Sequence, residues 1–167
     1  MKRCLAVLML ALLTHAPALA QKLSPKEVVT SFYKDYRAAI DGPGNWMERL
    51  MAKQAGNLEK PLVDGLLKLA SGDPEKNEPF LDFDPFSNSQ TGLLSYTVGQ
   101  PSEKGGLVYV PVAMKMDGPP GPEKVRARFV LRDSGQGWKV ANVAYPAENG
   151  MEAWDLKAYL SEVFSSK

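Results

Sequence analysis

The chain has 167 residues, and 20 Lys and Arg stand against 19 Asp and Glu for a formal net charge of +1. That balance offers no basic field for nucleic acid or an anionic membrane. The single cysteine, Cys4, and the single histidine, His15, leave almost no material for disulfides, thiol nucleophiles, histidine triads, Cys-based zinc sites or haem ligation.

Both residues fall in the opening "MKRCLAVLMLALLTHAPALAQ". Lys2 and Arg3 precede an apolar run from Cys4 to Leu13, and Ala18-Leu19-Ala20 precedes Gln21. This is the layout of a secretory signal peptide, residues 1–20, cut after Ala20. The run is well short of the ~20 residues of a membrane span. Cys4 is also misplaced for a lipoprotein, which needs its cysteine at the cut. The expectation is an exported, periplasmic chain over 21–167 with no membrane span, folded as one α+β domain. Loss of Lys2 and Arg3 lowers the basic count from 20 to 18, against 19 acids. A general base in that chain must be Asp, Glu, Lys or Tyr, and a carboxylate works near pH 7 only if strongly buried.

"SPKEVVTSFYKDYRAAIDGPG" predicts a helix. Ser24 and Glu27 make a capping box around Pro25. Val28, Phe32, Tyr36 and Ala39, flanked by Val29, Tyr33 and Ile40, form one apolar stripe, and Gly42-Pro43 ends it. "NWMERLMAKQAG" predicts a second helix with Trp46 and Leu50 inward, beside Met47 or Met51. "NLEKPLVDGLLKLASGD" predicts a third, whose Pro61 must sit in the first turn or bend it. The polar "GDPEKNEP" then leads into "LDFDPFSNSQT".

From Leu93 the period changes to two. "LLSYTVGQ" predicts a strand. In "GGLVYVPVAMKM", Val108, Val110, Val112, Met114 and Met116 share one face, and Tyr109, Ala113 and Lys115 the other. In "KVRARFVLR", Val125, Ala127, Phe129 and Leu131 oppose Arg126, Arg128, Val130 and Arg132. "GWKVANVAYP" predicts another strand, and "DGPPGP" and "DSGQG" mark the turns. "MEAWDLKAYLSEVF" closes as an amphipathic helix, with Trp154, Leu156, Tyr159, Leu160 and Val163 available for burial. Helices, then a meander, then a docking helix give an α+β class.

"SPKEVVTSFYKDY", "DFDPFSNSQ" and "WKVANVAYP" together resemble an uncharacterised family of small exported bacterial proteins. Its D-x-D-P-F…S-Q stretch is the most specific part. The family's architecture is similar to the nuclear transport factor 2-like, cystatin-like roll. The resemblance implies N-terminal helices on a curved antiparallel sheet, a cone with a cavity at its open end. The wider roll includes ketosteroid isomerase-like enzymes, binding proteins and dimerisation modules, so fold alone selects no activity.

Asp82 and Asp84 admit three readings. As a calcium loop, Asp82, Asp84, Asn88 and Gln90 have the right odd spacing. An EF-hand, however, needs an oxygen ligand, Gly and Glu where this chain has Phe86, Ser87 and Leu93. As an acid/base pair, the two carboxylates would share one side of an extended segment, with one value raised beside Phe83 and Phe86. The stronger reading is structural. Pro85 holds Asp84 extended, Phe83 and Phe86 pin the bend to the core, and Asp82, Asp84, Asn88 and Gln90 satisfy nearby backbone.

A second candidate is a basic sheet face of Lys115, Arg126, Arg128, Arg132 and Lys139, interleaved with Tyr109 and Tyr145. It is either a solvated face or a docking surface for an acidic protein or anionic envelope component. No motif calls for a cofactor or a metal. The expected function is binding or interaction without catalysis, of an immunity or envelope-accessory kind. Its partner would be a protein or an envelope component. The alternative is an isomerase or lyase of ketosteroid isomerase-like build, with Asp82 or Asp84 as base and a Tyr as donor.

Overall fold

The computed structural model of the protein describes residues 22–76, 78–118, 121–148 and 150–165. The expected signal peptide over 1–20, and with it the expected cut after Ala20, lies outside the described residues.

Helix α1 (Pro25–Ile40) begins as its sequence dictates. The Ser24 hydroxyl accepts from the Glu27 backbone N–H at 3.3 Å, and Glu27 Oε2 accepts from the Ser24 N–H at 2.7 Å. That reciprocal pair satisfies two of the donors a helix start leaves open. Val28, Val29, Phe32, Tyr33, Tyr36 and Ala39 are all buried. Helix α2 (Trp46–Gln54) is capped by Asn45 and buries Met47, Leu50 and Met51. Arg49 of α2 reaches back to donate to the carbonyls of Gly42, at 2.7 Å, and Ala39, closing the end of α1. In helix α3 (Lys60–Ala70), Pro61 sits in the first turn, where its missing N–H costs nothing. Leu62, Leu66 and Leu69 face the core.

The strands are β1 (Leu93–Val98), β2 (Ser102–Lys104), β3 (Leu107–Met116), β4 (Lys124–Asp133), β5 (Trp138–Tyr145) and β6 (Trp154–Asp155). They form one antiparallel sheet in the order β1-β3-β4-β5-β6, and β2 pairs with the start of β3. Helix α4 (Leu156–Ser165) follows β6 directly and packs on β5 and α3. The α+β class expected from the sequence is the class observed.

One sheet face meets the helices. Val108, Val110, Val112 and Met114 of β3 share it with Ala127, Phe129 and Leu131 of β4 and with Val140, Val143 and Tyr145 of β5; all are buried. The space between sheet and helices is filled, with Phe32 lying 4.7 Å from Phe86 and 5.1 Å from Phe129, ring centre to ring centre. Side chains packed at this density leave little room for solvent.

Three expectations need correction. The ladder between β3 and β4 pairs Val112 with Ala127 but Ala113 with Val125, so Arg126 is the extra residue of a bulge. An extra residue reverses the alternation beyond it. Val125 therefore shares the outer face with Ala113 and is 37% exposed, instead of pointing inward. Tyr145 is not on the basic face: it lies in the inward register of β5, paired with Trp154, and is 1% exposed. Trp154 itself belongs to β6, before the last helix starts.

Candidate functional site

The segment Asp84–Ser89 is a closed loop. Asp84 N–H donates to the Ser89 carbonyl at 2.9 Å, Ser89 N–H returns a longer bond at 3.4 Å, and Asn88 turns the chain at φ 50°. Asparagine tolerates that left-handed conformation better than most residues. Inside the loop, Asp84 Oδ1 accepts from the N–H groups of Phe86, at 2.8 Å, and Ser87, at 3.3 Å. Its other oxygen accepts from the Tyr36 hydroxyl.

Two more tyrosines hold the same turn. Tyr33 donates to the Phe86 carbonyl and Tyr145 to the Pro85 carbonyl, both at 2.6 Å. Thus three phenols, two from α1 and one from β5, grip three consecutive residues. Burial raises all three phenols above their ordinary range, and the Asp84 charge pushes them the same way. They keep their protons and serve as fixed donors. Burial also raises the Asp84 carboxyl, against the opposing pull of Tyr36 and of the Phe86 and Ser87 bonds. Among the described residues the Ser87 hydroxyl is buried beside this group without a hydrogen bond of good geometry.

Asp82 is placed differently. It is exposed and lines an open cleft of about 660 Å³ with Phe83, Asn88, Ser89, Gln90, Met151, Trp154 and Tyr159. Asp84 instead lines an adjoining concavity of about 340 Å³ with Tyr36, Trp46, Leu81 and Phe83. The two acids line different concavities, which removes the support for reading them as a pair on one side. Gln90 Nε2 donates to the Asp82 carbonyl at 3.2 Å, so the glutamine supports the backbone as expected. Among the described residues, the side chains of Asp82 and Asn88 do not.

The cleft has a rigid aromatic wall. Phe83, Trp154 and Tyr159 meet edge to face, with centroids 5.6–5.8 Å apart. Trp154 also stacks on Tyr145 at 3.9 Å, and Tyr145 is tied to Pro85. A reciprocal pair of backbone bonds between Glu148 and Met151, at 3.2 and 3.0 Å, sets Met151 at the mouth, 59% exposed. The volume exceeds that of the concavities between α3 and α4 and at the sheet end near Arg126, about 400 Å³ each. It lies in the range that small-molecule sites occupy.

The basic candidates are less concentrated than their sequence spacing suggests. Lys115 and Arg128 are exposed on the outer face, where Pro111 pairs with Arg128 and Tyr109 with Val130. Arg132 pairs with Lys139 in the ladder, but its guanidinium is bound to Glu59 at 2.7 Å. Arg126, at the bulge, leaves this row. Its side chain is 21% exposed, lies 3.6 Å from Glu148 and buries an Nε without a partner among the described residues. Tyr145 is absent from the face, as described above.

Of the cleft residues, Asp82, Asn88 and Gln90 were visible from sequence, whereas Trp154 and Tyr159 read only as helix residues available for burial and Met151 was not singled out. The available signal was their density of large side chains beside Gly150. Among the described residues no helix is long and apolar enough to cross a membrane. Comparison with protein-family models, curated proteins and solved structures finds no match for this chain.

Proposed function

We propose that the protein is a binding protein without catalysis, and that its ligand enters the cleft between the Asp82–Gln90 bend and the Met151–Tyr159 segment. The observation that carries this reading is the cleft's construction: a fixed aromatic wall with unspent polar groups on its rim. A preformed site of this kind loses little freedom on binding. The bonding of Asp84 supports the non-catalytic side. Its oxygens already take two backbone N–H groups and a phenol, the role of a turn-capping carboxylate, whereas a base needs an oxygen free to face its substrate. The leader supports export, and we place the activity in the periplasm on that ground.

Met151→Trp tests the reading, because Met151 is exposed and the larger side chain blocks the mouth. In a two-dimensional NMR screen of small aromatic and aliphatic compounds, binders should shift Trp154 and Tyr159 saturably in the wild type. The blocked variant should lose those responses while keeping its fold. Responses that survive the block would place the binding elsewhere.

A further inference from the structure

We infer that the group received by the cleft is an organic cation, an alkylammonium or guanidinium carried on an apolar body; this rests on the binding reading above.

The sign of the charge comes from the lining. Among the described residues Asp82 is its one charged side chain, no Lys or Arg joins it, and its carboxylate makes no ion pair. An exposed carboxylate on an apolar wall attracts a cation and repels an anion. The wall adds to this, since aromatic faces carry the negative part of the ring quadrupole. At separations of 5.6–5.8 Å the three rings touch one another. A cation therefore lies over them rather than between them, with its apolar body against Met151 and Trp154.

The rim is suited to N–H donors. Gln90 uses its Nε2 on the Asp82 carbonyl, which leaves its Oε1 to accept. The Asn88 side chain makes no hydrogen bond among the described residues and supplies a second amide oxygen. Burial first, and then the Asp82 charge, raise the Tyr159 phenol, so the carboxylate lies within electrostatic reach of that ring. A bare metal ion suits the site poorly: hard cations take several oxygen ligands, and no group of three acidic, His or Cys side chains gathers among the described residues.

The test follows the Trp154 indole N–H cross-peak during titration with 4-phenylbutylammonium, its neutral counterpart 4-phenylbutanol, its anionic counterpart 4-phenylbutanoate, and a capped tripeptide with one arginine. The ammonium compound should bind about five- to tenfold more tightly than the alcohol, the scale expected of one exposed charge with a ring contact. Asp82→Asn should remove most of that preference, leaving only the part the rings supply, by weakening the ammonium compound far more than the alcohol. The peptide should show the same dependence on Asp82, and the tighter of the two cations then distinguishes a free amine from a basic side chain. Equal binding of all three phenylbutyl compounds, a preference undiminished by Asp82→Asn, or tighter binding of the carboxylate would overturn the inference and leave the cleft a binding site. No saturable response from any probe would overturn both.

Discussion

Asp84 is the residue on which the central bend turns, and its chemistry yields two measurable consequences. It accepts from the N–H groups of Phe86 and Ser87 and from the Tyr36 hydroxyl. Asp84→Ala leaves these buried donors unmatched and is expected to cost about 1–3 kcal/mol. Asp84→Asn, whose amide oxygen still accepts, should cost less; urea unfolding of the two variants compares them. The second consequence is pH dependence. A carboxyl whose value rises on folding holds its proton more tightly in the folded chain. Its contribution is fullest below the ordinary Asp range and is lost as pH climbs through that range towards the raised folded value. Wild-type stability relative to Asp84→Asn should therefore fall across that window. A difference that grows with pH would contradict the burial of this carboxyl. The capping role was legible in the sequence because Asp84 precedes Pro85 and its partners lie two and three residues on. The Tyr36 bond was not, because its partner is 48 residues away and only tertiary packing brings α1 to the bend.

At the scale of elements, alternation along β3 was legible residue by residue, and α1 was legible down to its capping box. What hid the rest was cross-strand pairing. The bulge at Arg126 depends on how β4 hydrogen-bonds to β3, which no pattern within β4 encodes, and it moved Val125 outward. The two faces of β4 should respond accordingly. Phe129→Ala opens a cavity at a fully buried position and is expected to cost about 3–5 kcal/mol. Arg128→Glu, on the exposed face, should stay within about 0.5 kcal/mol. Arg126→Glu should cost more than Arg128→Glu, since it brings a carboxylate against Glu148. Glycines test the connections between elements. A Cβ on Gly72 would stand 1.8 Å from the Pro79 carbonyl oxygen, which is backbone and must move, whereas one on Gly56 meets nothing within 4 Å. Gly72→Ala should lower the melting temperature clearly, and Gly56→Ala should not.

For the whole molecule, the α+β class was legible because helical and strand periods occupy separate stretches of the chain, helices first, then strands, then a last helix. The cleft was only half legible. Its bend carries polar residues that stand out in sequence, but its wall joins Phe83 to Trp154 and Tyr159, residues that individually read as core. The proposed signal peptide over 1–20 sets a further expectation: intact-mass analysis of exported protein should give a chain beginning at Gln21, and retained residues 1–20 or a lipid adduct would contradict export by simple cleavage. The central claim is that ligand enters between the bend and the Met151–Tyr159 segment rather than on the outer sheet face. Intermolecular NOEs from bound 4-phenylbutylammonium test it most directly. They should reach the rings of Phe83, Trp154 and Tyr159 and the methyl of Met151. Contacts instead to Ala113, Val125 and Pro111 would place the binding surface on the open face of the sheet and contradict the claim.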